Sequence, residues 1–311
     1  MRGALISELG SPPRPAELEE PQAGAGETVV TVEAVGLNPV DLAIGSGAFY
    51  GGHPPLPYPP GCEAAGRTDA GELVYLFGDG RGISEPGFMT ERVAVPAELP
   101  LRVPDGTDAA LVAAIGIAGV AGWVPVAWKA KVTADDRVLV LGATGAVGLV
   151  AVQAAKLAGA HVVAAGRDRS KLERARQLGA DEIVTLDEIP DGFTVCIDPL
   201  WGEPLAQALP KAARHARVIH VGQSAGPEAT LRSADVRGKE LAIQGHSNFA
   251  LSKEERERAY LELLEHVTAG RIVVDVDRYP LDRVADAWER QRSGPGSKIA
   301  VTLEPGAAAG L

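Results

Sequence analysis

The chain has little cysteine. Only Cys62 and Cys196 occur among its 311 residues, and they lie far apart, so a disulfide framework is excluded and a reducing compartment is the natural expectation. Long apolar runs are missing too. The opening segment MRGALISELGSPP carries one positive charge and no apolar stretch of signal-peptide length. Nothing approaches the roughly 20 consecutive apolar residues that span a bilayer. The nearest stretch, Ala109 to Val126, is punctuated by Gly116, Gly119, Gly122 and Pro125, and reads as a buried helix and turn. No membrane association and a cytoplasmic location are therefore expected. Positive charge is scattered: 30 Lys and Arg face 41 Asp and Glu, for a net charge of −11. A phosphate-backbone binder needs clustered cations, so no nucleic-acid partner is expected. A small anionic cofactor needs only one or two placed cations and remains open.

What is present is ordinary for a globular enzyme, with 46% hydrophobic and 23% charged residues. The length suffices for two domains, each able to bury a core. The first stretch, to about Pro104, is rich in Pro and Gly. Within it Glu27 to Val35 alternates with period two, placing Val30, Val32 and Ala34 on one face, which predicts half-buried antiparallel strand. Gly51 to Gly61 carries five prolines and predicts a stiff, irregular loop.

The middle stretch alternates short apolar strands (137–141, 161–165, 182–186, 193–197, 217–221) with helices (145–157, 169–178, about 204–213). Such alternation predicts parallel strands joined by right-handed crossovers, a doubly wound sheet. The third stretch predicts a helix over 253–269 with Ser252 as N-cap, a helix over 282–292 capped by Asp282, and a strand over 298–303. The tail EPGAAAGL gives no reason for order.

The strongest local signal is VLVLGATGAVGLVAVQAAKLAGAHVVAAG, Val138 to Gly166. Gly142, Gly145 and Gly148 stand where a buried strand hands over to a helix. A dinucleotide site needs small residues there for a tight bend, for close approach of the pyrophosphate, and for packing of helix on sheet. The helix start then offers free N–H groups and the positive end of its dipole. Gly142, Ala143, Thr144, Gly145, Ala146, Val147 and Gly148 are the expected cradle of a Rossmann-type domain. At the end of the second strand a carboxylate selects NAD, whereas a cation selects the 2′-phosphate of NADP. Arg167 follows Gly166 directly, and Lys171 lies one turn into the next helix. Asp168 is the competing signal, placed to be the N-cap of that helix. NADPH is the expected cofactor, although solvated surface charge is the plainer account of Arg167 and Lys171.

Ala34 to Gly66, AVGLNPVDLAIGSGAFYGGHPPLPYPPGCEAAG, resembles the N-terminal signature of the zinc-free, zeta-crystallin-like quinone oxidoreductases of the medium-chain dehydrogenase/reductase superfamily. The shared features are GxNPxD, an SG followed by Tyr, then LPYxPG and an acidic residue before AAG. GATGAVG (Gly142 to Gly148), VGQSAG (Val221 to Gly226) and IQGHSN (Ile243 to Asn248) are similar to the family's nucleotide turn and nicotinamide-lining segments. The resemblance covers nearly the whole chain. It implies an α/β fold in which a Rossmann doubly wound parallel sheet (109–245) is inserted in a GroES-like, partly β-barrel catalytic domain (1–108, with 246–311 returning to it). It also implies a cleft between the domains and a homodimer. Gly222, Gln223 and Ser224, with His246, Ser247 and Asn248, are then expected at the nicotinamide end. His246 is either an acid/base group or a loop or core histidine.

The zinc-dependent relatives hold their metal with Cys and His. This chain has Asn38 where they place the first Cys and Cys62 where they place a His before Glu63, so no metal is expected. Without that Lewis acid, an apolar electrophile such as a quinone or α,β-unsaturated carbonyl is the expected substrate, with NADPH as hydride donor. The candidate catalytic residues are Asn38, donating to a developing oxyanion, and Tyr50, donating or relaying a proton. Asp41 either organises Asn38 or caps a short helix. One extra residue before Tyr50 leaves Phe49 as the alternative aromatic, and Ala43 and Leu186 depart from the residues of some relatives. Two other functions remain open: an enoyl or alkenal reductase of a biosynthetic pathway, and a nucleotide-binding sensor, structural or RNA-binding protein with little catalysis.

Overall fold

A computed structural model describes residues 1–303; the tail EPGAAAGL lies outside the described residues. The chain divides into two compact units, Met1–Ile117 with Asp275–Leu311, and Ala118–Val274.

The first unit opens with β1 (Arg2–Leu5) and β2 (Arg14–Glu17), then the long β3 (Glu27–Leu37). Val30, Val32 and Ala34 of β3 are buried, as the alternation predicts. Helix α1 (Pro39–Gly45) follows, opened by a proline whose missing N–H is no loss in the first turn. After the proline loop come β4 (Glu63–Thr68), β5 (Leu73–Phe77), β6 (Arg92–Pro96), β7 (Leu101–Arg102) and α2 (Ala109–Ile115).

The second unit carries α3 (Ile117–Val124), β8 (Arg137–Val140), α4 (Ala146–Leu157), β9 (His161–Gly166), α5 (Arg169–Gln177), β10 (Glu182–Thr185) and β11 (Phe193–Asp198). It continues through α6 (Gly202–Ala208), β12 (Ala212–His220), α7 (Ser233–Gly238), β13 (Ala242–Gly245) and α8 (Lys253–Thr268). The chain then returns to the first unit with β14 (Val276–Pro280), α9 (Val284–Arg292) and β15 (Lys298–Thr302). No single helix among the described residues is long and apolar enough to cross a membrane.

In the first unit the strands run β14-β15-β3-β4-β5-β7, with β6 also paired to β3. The two ends of the chain meet here, since β15 pairs antiparallel with β3, Ile299 opposite Leu37. The path does not close into a barrel among the described residues. The second unit is a six-stranded parallel sheet of order β10-β9-β8-β11-β12-β13. That order reverses between β8 and β11, which makes the gap between them the topological switch point.

Several expected boundaries move. The sheet-bearing unit runs over 118–274 rather than 109–245. Helix α2 packs against β3, β4 and β15 of the first unit. Helix α8 belongs to the second unit because the Glu262 carboxylate accepts from the indole N–H groups of Trp123 (3.2 Å) and Trp128 (2.8 Å). Gln153 adds two bonds to the Val273 backbone, at 2.7 and 3.0 Å. The helix expected over 204–213 is α6 and then a 3-10 turn Leu209–Lys211, where Pro210 lacks the N–H that would extend it. Asp282 does not cap α9. It sits in a 3-10 turn and pairs with Arg2, and Arg283 takes the cap position.

Gly148 lies where helix α4 touches the turn. A Cβ there would stand 2.5 Å from Gly142 O and 2.7 Å from Ala143 Cα, both backbone atoms, whereas a Cβ on Gly145 would meet only Gly142 O, at 3.6 Å. Overpacking against immovable backbone costs about 1–3 kcal/mol. Gly148→Ala is therefore expected to lower the denaturant midpoint by that much, while Gly145→Ala stays near the parent. Equal midpoints for the two variants would show that the helix does not need this contact.

Candidate active site

The expected cofactor residues all fall in the second unit. Strand β8 runs into Gly142, whose φ of +60° favours glycine. The Ala143 N–H donates to Ala165 O at 3.0 Å, tying the turn to β9, and the Gly145 N–H donates to Gly142 O at 3.0 Å. The Thr144 methyl would stand 3.3 Å from a Cβ on Gly166, so turn and strand end are brought together. Gly145 is the N-cap of α4 and supplies no side chain to it. The N–H groups of Ala146, Val147 and Gly148 point out of the helix start with no intrahelical partner. A backbone cradle of this kind fits a pyrophosphate.

Beyond Gly166, the Asp168 carboxylate accepts from Ser170 N (2.9 Å) and Ser170 Oγ (2.6 Å) and so caps α5, as the sequence predicts. The Ser170 hydroxyl bond, more than any nearby charge, holds its carboxyl below the usual range. Arg169 is committed to Glu188 at 3.1 Å. Arg167 is exposed and has no hydrogen-bond or ion-pair partner among the described residues, and Lys171 is exposed as well.

Gly222, Gln223 and Ser224 follow β12 and are strapped to the loop after β11. The Val221 N–H donates to Asp198 O (2.8 Å), and Ser224 reaches Pro199 O through N–H (3.3 Å) and hydroxyl (3.1 Å). A Cβ on Gly222 would lie 3.1 Å from Pro199 O. His246 follows β13 and is buried. Its backbone N–H donates to His220 O at 2.8 Å, and its Nε2 meets Asn248 Oδ1 at 2.9 Å. Burial lowers its pKa, which favours the neutral imidazole, and its Nε2 is engaged by Asn248. Ser247 is exposed.

The candidate catalytic residues lie in the first unit, around the joint between β3 and α1. Asn38 and Asp41 are both buried. The Asn38 N–H donates to Asp41 Oδ2 (2.7 Å), and the Cys62 N–H donates to Asp41 Oδ1 (3.0 Å). Asp41 thereby both caps α1 and ties it to the loop before β4. Burial pushes its carboxyl up to about 6 against the pull of those bonds, and the Glu63 carboxylate adds to the rise.

The Asn38 side chain is fully committed. Its Nδ2 donates to Glu63 Oε1 at 2.7 Å, and its Oδ1 accepts from Lys298 Nζ at 2.6 Å. Lys298 also donates to Leu37 O (2.9 Å) and stands 3.4 Å from Glu63 Oε1. The other Glu63 oxygen accepts from Tyr75 OH (3.0 Å) and the Ile117 N–H (2.6 Å). Gly36 and Gly116 leave the space that this network fills, since a Cβ on either would run into Glu63 or the Tyr75 hydroxyl. The amide expected to donate to a substrate oxyanion therefore donates to Glu63 instead.

Tyr50 stands apart, 89% exposed, with its ring 4.5 Å from that of Phe49. Phe49 is half-buried against the core of this unit. Nearby, Tyr58 is a fully buried phenol whose hydroxyl has no hydrogen-bond partner. Burial, with the Asp41 charge adding, pushes it up to about 12. Sequence reasoning missed Lys298, Tyr75 and Glu63 as a unit. The only signals were an acidic residue after Cys62 and a lysine opening an otherwise apolar strand.

A parallel sheet with a glycine turn at its switch point, carried by a chain whose two ends fold together as a separate unit, defines a medium-chain dehydrogenase/reductase. Comparison with known proteins agrees. A protein-family model described as "Zinc-binding dehydrogenase" matches residues 146–266. The quinone oxidoreductase of Lama guanicoe is 30% identical over 98% of this chain and 98% of its own length. Among solved structures, a thermostable alcohol dehydrogenase from Pyrobaculum aerophilum is 27% identical with a TM-score of 0.84, covering 97% of this chain and 99% of that one. The quinone oxidoreductase of Thermus thermophilus, determined alone and with NADPH, is 28% identical with a TM-score of 0.79, covering 97% and 100%. The chain belongs to the quinone oxidoreductase branch of the medium-chain dehydrogenase/reductase superfamily and is an oxidoreductase.

Removing one partner of a buried ion pair leaves the other charge uncompensated and costs about 3–5 kcal/mol. Lys298→Met is accordingly expected to lower unfolding stability by about that amount in urea. A change below about 1 kcal/mol would mean that Glu63 is satisfied without the ammonium.

Proposed function

We propose that the protein is an NADPH-dependent, zinc-independent oxidoreductase that reduces a quinone or an α,β-unsaturated carbonyl. The observation that carries the reading is the combination of an open backbone cradle at Gly142–Gly148 with an uncommitted cation, Arg167, at the end of β9. A carboxylate at that strand end would favour NAD. Here Asp168 caps α5 through its Oδ1, and Arg167, with Lys171 one turn on, is the cation placed to receive a 2′-phosphate.

In this reading Ala146, Val147 and Gly148 hold the pyrophosphate through their N–H groups. Gly222 and Ser224, strapped to Pro199, and the segment His246 to Asn248 border the nicotinamide end. Bound NADPH supplies a hydride to the electrophilic carbon of the substrate. The charge left on the substrate oxygen needs a hydrogen-bond donor and then a proton. Tyr50 is the candidate whose hydroxyl is free to give both. Asn38 acts through its bonds to Glu63 and Lys298 and Asp41 through its bonds to the Asn38 and Cys62 backbone; both are positioning residues.

Zinc independence is supported by the chemistry of the donors. By the resemblance, Asn38 and Cys62 stand where the zinc-dependent relatives place a Cys and a His. The Lys298 ammonium already lies 2.6 Å from Asn38 Oδ1 and 3.4 Å from Glu63 Oε1. A dication there would face a buried like charge, and burial pushes the Cys62 thiol up, away from the thiolate that zinc binds. The residues do not fit a metal.

The reading is tested by following NADPH oxidation with a panel of benzoquinones, naphthoquinones and enones. Turnover with at least one is expected, and none with any sinks the proposal. In the same assay Arg167→Ala should raise the KM for NADPH about tenfold or more while leaving that for NADH within about twofold, the signature of a lost charge-assisted phosphate contact. Equal losses for the two cofactors would remove Arg167 from its role.

A further inference from the structure

A cluster outside the expected site residues sits at the carboxyl edge of the parallel sheet. Asp198 is the last residue of β11 and is wholly buried, and His220 is the last residue of β12, next to it in the sheet. The Asp198 Oδ1 accepts from the N–H groups of both Leu200 and Trp201, each at 2.9 Å. Its Oδ2 lies 3.2 Å from His220 Nδ1. A carboxylate only accepts, so the Nδ1 that faces it carries a proton, and in the neutral ring the other nitrogen, Nε2, accepts a hydrogen bond. The Trp201 ring covers the imidazole, centroids 4.3 Å apart. Among the described residues these two are the only side-chain partners of His220, which is 27% exposed.

The backbone beneath Trp201 is unusual. Its φ of +58° and ψ of −159° define a conformation that is nearly confined to glycine. The two bonds from Asp198 hold it there, and a strained tryptophan in a place suited to glycine points to work done by the ring. The same loop covers the nucleotide turn, since the Leu200 side chain would stand 2.9 Å from a Cβ on Gly142. In a sheet of this order ligands bind outside the carboxyl ends of the strands, across the switch point between β8 and β11. The half with the glycine turn takes one mononucleotide and the other half takes the second.

We propose that His220, oriented by Asp198 and backed by Trp201, is a cofactor-positioning residue for the nicotinamide mononucleotide half. A ribose hydroxyl of that half donates to His220 Nε2, and the Trp201 ring keeps the imidazole from turning away. This inference rests on the nicotinamide-cofactor reading above and assigns its second half to named side chains.

The test titrates the full chain with NADPH and with adenosine 2′,5′-bisphosphate, which carries the adenine half and its 2′-phosphate but no nicotinamide half. His220→Phe, which keeps a ring against Trp201 and loses the nitrogens, is expected to raise the Kd for NADPH about tenfold, the worth of one hydrogen bond. Its Kd for the bisphosphate should stay within about twofold. Trp201→Gly relieves the backbone and is expected to raise the thermal midpoint while weakening NADPH severalfold and sparing the bisphosphate. A structural role would move both ligands together and would not separate stability from binding. Unchanged NADPH affinity in the folded variants, or equal losses for both ligands, overturns the proposal; if His220→Phe does not fold, Trp201→Gly decides alone. Failure of the parent protein to bind NADPH would instead refute the cofactor reading on which the proposal stands.

Discussion

The buried contact of Lys298 with Asn38 and Glu63 is the constraint on which the first unit depends. Lys298 opens β15, near the end of the chain, and Asn38 directly follows β3, near its beginning. An ammonium placed there must be compensated, and every acceptor it finds comes from the N-terminal part of the chain: Leu37 O, Asn38 Oδ1 and Glu63 Oε1. The pairing of β15 with β3 is thus fixed by charge as well as by the ladder. Asn38 is held from both ends of its amide, which sets where α1 begins, and Asp41 then ties α1 to Cys62. In the proposed zinc-independent reading the cation takes the oxygens that a dication would need.

The second unit is organised differently. Its proposed binding surface is made of backbone: the N–H groups at the start of α4, the Gly142 turn and the strapped segments after β11 and β12. Side chains mainly hold that backbone in shape, as Asp168 does for α5 and Asp198 for Leu200 and Trp201. Chemistry carried by backbone depends on where small residues stand, so glycine spacing is informative in this unit and uninformative in the first.

That difference explains what was legible in the sequence. The parallel sheet, the turn at Gly142, the cap at Asp168 and the helix capped by Ser252 follow from local rules of period, small-residue spacing and capping. The first unit was legible only in part. Val30, Val32 and Ala34 declared a buried face, but the partner of Asn38 is a lysine 260 residues away. No local pattern announces a contact of that separation. The unit boundary at 274 rather than 245 escaped for the same reason, since it depends on Trp123 and Trp128 meeting Glu262. Trp201 was hidden because a positive φ is read from sequence only when glycine supplies it.

The proposed function has reduction proceed without a metal, the buried Lys298 ammonium lying against Asn38 and Glu63. The most direct measurement is elemental analysis of the purified protein combined with NADPH-dependent quinone reduction in the presence of EDTA. Far less than one zinc per chain and a rate unchanged by the chelator are expected. One zinc per chain, with activity lost on chelation and restored by zinc, would contradict it.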